Sequence, residues 1–311
     1  MEELEDSLRY LSSEQALASI DANVYWPKWD SPWWHLSLLY ELGEIKRAPA
    51  PIIQRMVRAL AESPVKIFPI HPHEMPTGLD GQLSTHCHCA LGNMYQVLAA
   101  WGVAVDEELP WIRPWFLRYQ MADGGLNCDE RAYLIEGECP SSMVGTIAPF
   151  EAVLFYTPRP FTPEELRFLE RGARFLQQRR LSQGSDTEFN AEEQHSAASW
   201  QKLCFPRFYL YDVLRGLNAL LRWREKTGGQ VDEAVVEPIF AALERRFPDG
   251  QIRLERRAYE GIGTRHKTPS GEWVRKKAEL SPLLVSVSAL GAVSPPLSRQ
   301  WEALRALWSS R

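Results

Sequence analysis

The feature that most limits the fold is a recurring turn. An Asp-Gly pair, one further residue and then an apolar side chain stand at Leu79-Asp80-Gly81-Gln82-Leu83, Ala122-Asp123-Gly124-Gly125-Leu126 and Pro248-Asp249-Gly250-Gln251-Ile252, with a degenerate copy at Pro269-Ser270-Gly271-Glu272-Trp273. Asp80 lies 43 residues before Asp123, and Asp123 lies 126, three times 42, before Asp249. A period of that length holds one helical hairpin. Asp accepts backbone N–H bonds and Gly takes the positive φ of a tight turn, so each copy reads first as a structural hinge between two helices. Where copies are expected near positions 165 and 207, Thr162-Pro163-Glu164-Glu165 and Phe205-Pro206-Arg207 read instead as helix starts.

Periodicity agrees with the hinges. Apolar residues recur three and four apart over Ile52 to Leu60, Ala90 to Trp101, Leu109 to Tyr119, Glu164 to Leu176, Tyr209 to Trp223, Val235 to Phe247 and Leu297 to Trp308. No run of alternating strand residues competes, and Pro/Gly punctuation such as Thr227-Gly228-Gly229 and Ser294-Pro295-Pro296 separates the segments. A single all-helical domain over residues 1–311 is expected, with a core large enough to use 12 tryptophans.

Charge narrows the function classes. Thirty-five Lys and Arg against 40 Asp and Glu give a net charge of −5 with the signs interspersed, so no basic face for nucleic acid is expected. The N-terminal Met1-Glu2-Glu3-Leu4-Glu5-Asp6 is acidic, and no apolar run approaches the roughly 18 residues of a membrane span. A cytoplasmic protein without a transmembrane segment is expected. Five cysteines, an odd number, then point to reduced thiols and leave metal ligation open. Nucleotide-loop, serine-hydrolase and HExxH signatures are missing from the chain.

Gln120 followed by Asp123-Gly124-Gly125-Leu126-Asn127-Cys128 resembles the Q-x-x-DGGW turn of the terpenoid cyclase and protein prenyltransferase superfamily. Ser141-Ser142 leading into Ala148-Pro149-Phe150-Glu151, then Phe205-Pro206-Arg207-Phe208-Tyr209-Leu210-Tyr211-Asp212-Val213-Leu214-Arg215-Gly216-Leu217, then Pro248-Asp249-Gly250-Gln251 resemble, in order, a bacterial branch of it without an assigned activity. The likeness covers about residues 30 to 308. It implies an all-α fold, an α/α toroid of inner and outer helices around a central cavity. Leu126 stands where the turn usually closes on an aromatic residue, and neither D-x-D-D nor D-D-x-x-D occurs. Isoprenoid cyclisation therefore does not transfer from the fold alone.

In such a toroid the residues that begin the inner helices face the cavity. Those starts are Trp33-Trp34-His35, Thr85-His86-Cys87-His88-Cys89, Cys139-Pro140-Ser141-Ser142, Phe208-Tyr209-Leu210-Tyr211-Asp212 and Glu279-Leu280-Ser281. His86 and Cys89, three apart, share a helix face, and Cys128 and Asp129 follow a neighbouring turn. Thiolate, imidazole and carboxylate meeting at one rim suit tetrahedral Zn²⁺ with one open position, so zinc is the cofactor to expect there. Protein prenyltransferases carry an Asp, Cys and His zinc set at a similar place, although in them the Asp and Cys precede the His. The plain alternative is cysteines serving as small hydrophobes.

Asp212, in an apolar stretch, is the candidate general acid or base, against an ion pair with Arg207 or Arg215. His195, in a polar stretch, reads as a loop residue able to fold over the cavity mouth. Trp34, Tyr209, Tyr211 and Ser141 are the candidate cavity-binding residues, while most of the other aromatics (Trp33, Trp111, Trp115, Trp200 and Phe208) read as packing between helix layers. Three functions follow as expectations: binding or transforming an apolar, isoprenoid-like small molecule; a non-catalytic lipid- or peptide-binding toroid; and a glycan-processing helical barrel with paired carboxylates.

Overall fold

A computed structural model describes residues 2–259 and 263–309. The chain is mostly helical. Its N-terminal helices are α1 (Glu2–Leu11), α2 (Glu14–Ala22), α3 (Pro32–Leu42) and α4 (Ala50–Ala61). The short α5 (Gly81–Ser84) precedes α6 (His88–Trp101), α7 (Val105–Glu108), α8 (Ile112–Arg118), α9 (Met143–Tyr156) and α10 (Pro163–Gln178). Then come α11 (Glu192–Trp200), α12 (Val213–Thr227), α13 (Glu233–Arg246), a hairpin of β1 (Gly263–Lys267) and β2 (Trp273–Lys277), α14 (Pro282–Val287) and α15 (Pro295–Ser309).

Two kinds of helix alternate. In α3 every residue from Pro32 to Leu39 is buried, and in α9 every residue from Gly145 to Leu154 is buried, so these helices have no solvent face. By contrast α4, α10 and α13 keep charged outer faces. The interior helices follow one another in space as in sequence: α3 packs on α6, α6 on α9 and α9 on α12. The tightest of these contacts is α6 on α9, where Gly92 meets Pro149. A Cβ on Gly92 would lie 2.4 Å from the Pro149 nitrogen, so glycine is required for that approach. Outside them, α2 pairs with α4, α10 packs on α8, α9 and α12, and α13 and α15 both lean on α12.

The Asp-Gly turns share one device. Asp80, Asp123 and Asp249 each accept, through Oδ1, the backbone N–H two residues on, from Gln82 (2.8 Å), Gly125 (3.0 Å) and Gln251 (3.0 Å). The middle turn is stapled to α10, because Gln120 Nε2 donates to the carbonyls of Gly124 and Phe168, both at 2.9 Å. Gly124, at φ 99°, passes so close to α10 that a Cβ would fall 2.2 Å from the Arg171 carbonyl oxygen. Ser141 Oγ donates to Asp123 Oδ1 at 2.6 Å, which ties the start of α9 to the same turn.

Three expectations change. The fourth, degenerate copy does not join helices; Gly271 closes the antiparallel β1–β2 hairpin, in which Arg265 pairs with Arg275. Residues Tyr209 to Asp212 precede helix α12 instead of starting it, because the Asp212 side chain caps the helix by accepting Arg215 N–H at 2.9 Å. His195 is an exposed residue of α11, not part of a loop.

Candidate metal centre

Cys87, Cys89 and Cys128 bring three thiols together, with every pair of sulfur atoms within 4.8 Å. Two elements deliver them. Cys87 is the N-cap of α6 in extended backbone and Cys89 sits in its first turn, so both sulfurs gather over the helix N-terminus, 3.1 Å apart. Cys128 arrives on the loop after the Asp123 turn and accepts the Cys89 backbone N–H at 3.5 Å.

That loop is held rigidly. Leu126 forms a bridge to Ser142, its N–H donates to Thr146 Oγ1 at 2.8 Å, and Asn127 Nδ2 reaches the Pro140 carbonyl at 2.5 Å. The Tyr133 hydroxyl accepts Asn127 N–H at 3.0 Å and lies 3.0 Å from His88 Nε2. His88 Nδ1 in turn accepts the Trp115 indole N–H at 2.9 Å, so the neutral imidazole carries its proton on Nε2 and gives it to Tyr133. Both ring nitrogens are engaged, and burial pushes the His88 pKa down to about 3. His88 therefore orients the cysteine loop from behind instead of ligating.

The thiols share protons unequally. Hydrogen bonds from the Cys128 and Cys89 thiols hold Cys87 well below the usual thiol range, as befits a sulfur at a helix N-terminus. Cys89 is pushed well above it by its hydrogen bonds to Cys128 and then Cys87, and Cys128 by its bond to Cys87, with burial adding to both rises.

Around them stand Lys28, Tyr25 and Tyr209. Lys28 Nζ donates to the Tyr209 hydroxyl at 3.2 Å, and the Tyr25 hydroxyl is 3.3 Å from the same oxygen. The ammonium also lies 5.5 to 6.0 Å from the ring centres of Tyr25, Trp26, Trp29 and Tyr209, an aromatic cage. Burial lowers the Lys28 pKa, and the charges of Cys89 and Cys87 work against that fall. Hairpin residue Thr264 accepts Lys28 N–H at 2.7 Å and fixes this segment. Trp29 and Phe208, whose rings are 5.2 Å apart, hold positive φ values of 72° and 54°. Such bulky residues cost about 1–3 kcal/mol each in that region.

Of the four metal ligands expected from the sequence, Cys89 and Cys128 meet here and the other two do not. His86 lies outside α6, half-buried in a surface groove of about 560 Å³ beside Ser63, and burial there lowers its pKa to about 4. Asp129 is taken by Arg131, whose guanidinium contacts it at 2.7 Å and holds its carboxyl below the usual range. Cys87 takes the place that spacing had assigned to His86.

Of the cavity candidates, only Tyr209 is coupled to the thiols: burial raises its pKa, and the charges of Cys89, Cys87 and Cys128 add to the rise. Trp34 is 1% exposed, donates to the Tyr25 carbonyl and packs 4.2 Å from both Trp29 and Trp33. Tyr211 is buried against Trp200 with its hydroxyl on the Leu181 carbonyl. Ser141 is spent on Asp123. These three line neither the groove beside His86 nor the cavity beside Glu151, and they serve as packing. Asp212 is fully buried, capping α12 and 3.4 Å from Arg207, which is the ion-pair alternative to a catalytic carboxylate.

Among the described residues no helix is long and apolar enough to cross a membrane. Compared with family profiles, curated proteins and solved structures, the chain matches none.

Proposed function

We propose that this chain is a thiophilic-metal protein on an α/α-toroid scaffold, with Zn²⁺ held by Cys87, Cys89 and Cys128 and a fourth, exchangeable position near Tyr209. The observation that carries this reading is the convergence of three thiols from two elements onto one helix N-terminus. The donor set fits the ion: soft sulfur ligands select zinc over magnesium or calcium. Tetrahedral ligation at ~2.3 Å per Zn–S bond puts sulfurs about 3.8 Å apart. The three sulfurs lie within 4.8 Å of one another, and the 3.1 Å Cys87–Cys89 pair would have to open.

The sequential packing of the interior helices α3, α6, α9 and α12 supports the ring. Charge supports the ligand set. Three thiolates on a divalent ion leave a net charge of −1, and Lys28 is the adjacent cation that offsets it in a buried setting. Such an electron-rich centre, when loaded, activates a soft donor such as a thiol at its open position. Lys28 and Tyr209 would orient that donor and keep the anionic centre neutralised.

An apolar isoprenoid-like molecule is the less supported occupant, because the groove beside His86 and the cavity beside Glu151 carry charged linings and tryptophans pack the interior. Cobalt substitution tests the proposal. The Co²⁺ protein should show sulfur-to-cobalt charge-transfer bands, and added 2-mercaptoethanol should shift its visible spectrum. Bands absent from the wild type, or present and blind to added thiol, would refute the ligand set or the open position respectively.

A further inference from the structure

The segment before α12 divides the interior. Its Tyr209 belongs to the thiol side, whereas Arg207 and Phe208 face a second cavity, of about 250 Å³, between α3, α6, α9, α12 and α15. The dividing segment is bolted in place. Glu41 accepts the backbone N–H groups of Arg207 (2.8 Å) and Phe208, and Asn93 Nδ2 reaches the Phe208 carbonyl at 3.4 Å.

Every charge in this cavity is compensated within the protein. Arg215, 5% exposed, grips Glu151 through Nε and Nη2 (2.6 to 3.1 Å) and gives Nη1 to the carbonyls of Phe208 and Leu210. Arg207 is shared by Glu41 at 3.9 Å, Asp212 at 3.4 Å and Gln300 Oε1 at 2.8 Å. An anion entering would meet Glu41 and Glu151, and a cation would meet the two guanidiniums. Neither sign is favoured.

What remains free is uncharged. The Asn218 amide has no hydrogen bond among the described residues, and the Gln300 amide nitrogen has none either, its oxygen alone being used by Arg207. Both are half-buried at the cavity wall. A primary amide offers donors and an acceptor side by side, which suits hydroxyl groups. Phe155 supplies an apolar wall for the C–H face of a ring. At ~30 Å³ of liquid per water, the volume equals about eight waters. That is room for one small ring with its hydroxyls, and too little for an oligosaccharide or a lipid chain.

We infer that this cavity binds a single neutral polyhydroxylated ring the size of a hexose, a site separate from the thiol centre. Glu151, clamped by Arg215, is here a wall and not a catalyst. The test is saturation-transfer NMR on the full chain with D-glucose and myo-inositol as probes and citrate and spermidine as charged controls. Saturable transfer to glucose or inositol is expected, with affinity falling about fivefold to tenfold in Asn218→Leu and in Gln300→Leu, the loss of one or two hydrogen bonds each. Both positions are half-exposed, and thermal unfolding checks that each variant is folded; either one suffices to decide. No saturable transfer to either ring, transfer only to a charged control, or unchanged affinity in a folded variant would overturn the inference.

Discussion

Replacing Glu151 by Ala removes the counter-charge of a guanidinium that has nowhere else to go. Arg215 keeps its two backbone carbonyls but loses three contacts of 2.6 to 3.1 Å, while remaining 5% exposed. Breaking a buried pair in this way costs about 3–5 kcal/mol, most of it the penalty of an uncompensated charge. Arg215→Met should cost a similar amount, since it strands Glu151 with only Gln96 at 3.4 Å. At about 2.1 cal/mol/K of unfolding entropy per residue, a chain of 311 residues has ~0.65 kcal/mol/K, so each single variant should lower Tm by about 5–8 °C. The double variant Glu151→Ala/Arg215→Met removes both charges at once. It should therefore melt no lower than either single variant, giving a coupling as large as one whole single effect. Differential scanning calorimetry on the four proteins reads this directly. Single variants within about 1 °C of wild type, or costs that simply add in the double, would show that the pair is not buried and coupled as described.

Two further outcomes follow from local geometry. Gly124→Val should cost about 1–3 kcal/mol for the positive φ and about 1–3 more for the overlap with the Arg171 carbonyl. Gly250→Ala, also at positive φ but with nothing nearer than Arg305 at 3.7 Å, should cost the first part alone; equal Tm losses would refute the close approach of that turn to α10. Glu193, buried with Oε1 accepting Met143 N–H at 2.8 Å and Oε2 without a partner, has its pKa raised by burial. A raised acid contributes its stability below its unfolded pKa and loses it as pH climbs through the folded value. Glu193→Gln should accordingly gain Tm relative to wild type near neutrality, with the gap closing toward pH 4, and a gap independent of pH would contradict this.

How far the sequence announced the molecule depends on which faces of each helix meet water. Helices α4, α10 and α13 carry charged outer faces, so apolar spacing found them nearly to their ends. α3 and α9 escaped periodicity because, buried along their length, they carry too few polar residues to set the phase, whereas α6, equally buried, keeps Asn93 and Gln96 three apart. Asp212 was read inside a helix because Tyr209 to Leu214 is continuously apolar but for that residue; its role as a cap, a strong preference of Asp, was the overlooked signal. The hairpin was hidden by strands whose residues are mostly half-exposed or exposed, with no apolar alternation.

The thiol cluster was half legible for a similar reason. Pairing His86 with Cys89 presumes a helix through both, yet α6 begins at His88, so the i,i+3 relation does not exist. With Cys87 at the N-cap, its sulfur turns back over the first turn toward Cys89 instead. A boundary error of two residues thus exchanged one ligand for another. The aromatic residues misled in a different way: Trp34 and Tyr211 stand at or near helix starts, where a rim residue would, but close packing consumed them.

The metal content of the purified chain tests the thiol centre most directly. Protein isolated without chelator and analysed by inductively coupled plasma mass spectrometry should hold one zinc per chain. Ser in place of Cys87, Cys89 or Cys128 should abolish it, while His86→Ala, Asp129→Ala and Cys204→Ser leave it intact. Metal-free wild-type protein that also fails to take up added Zn²⁺, or zinc that survives loss of the three thiols, would contradict the proposed centre.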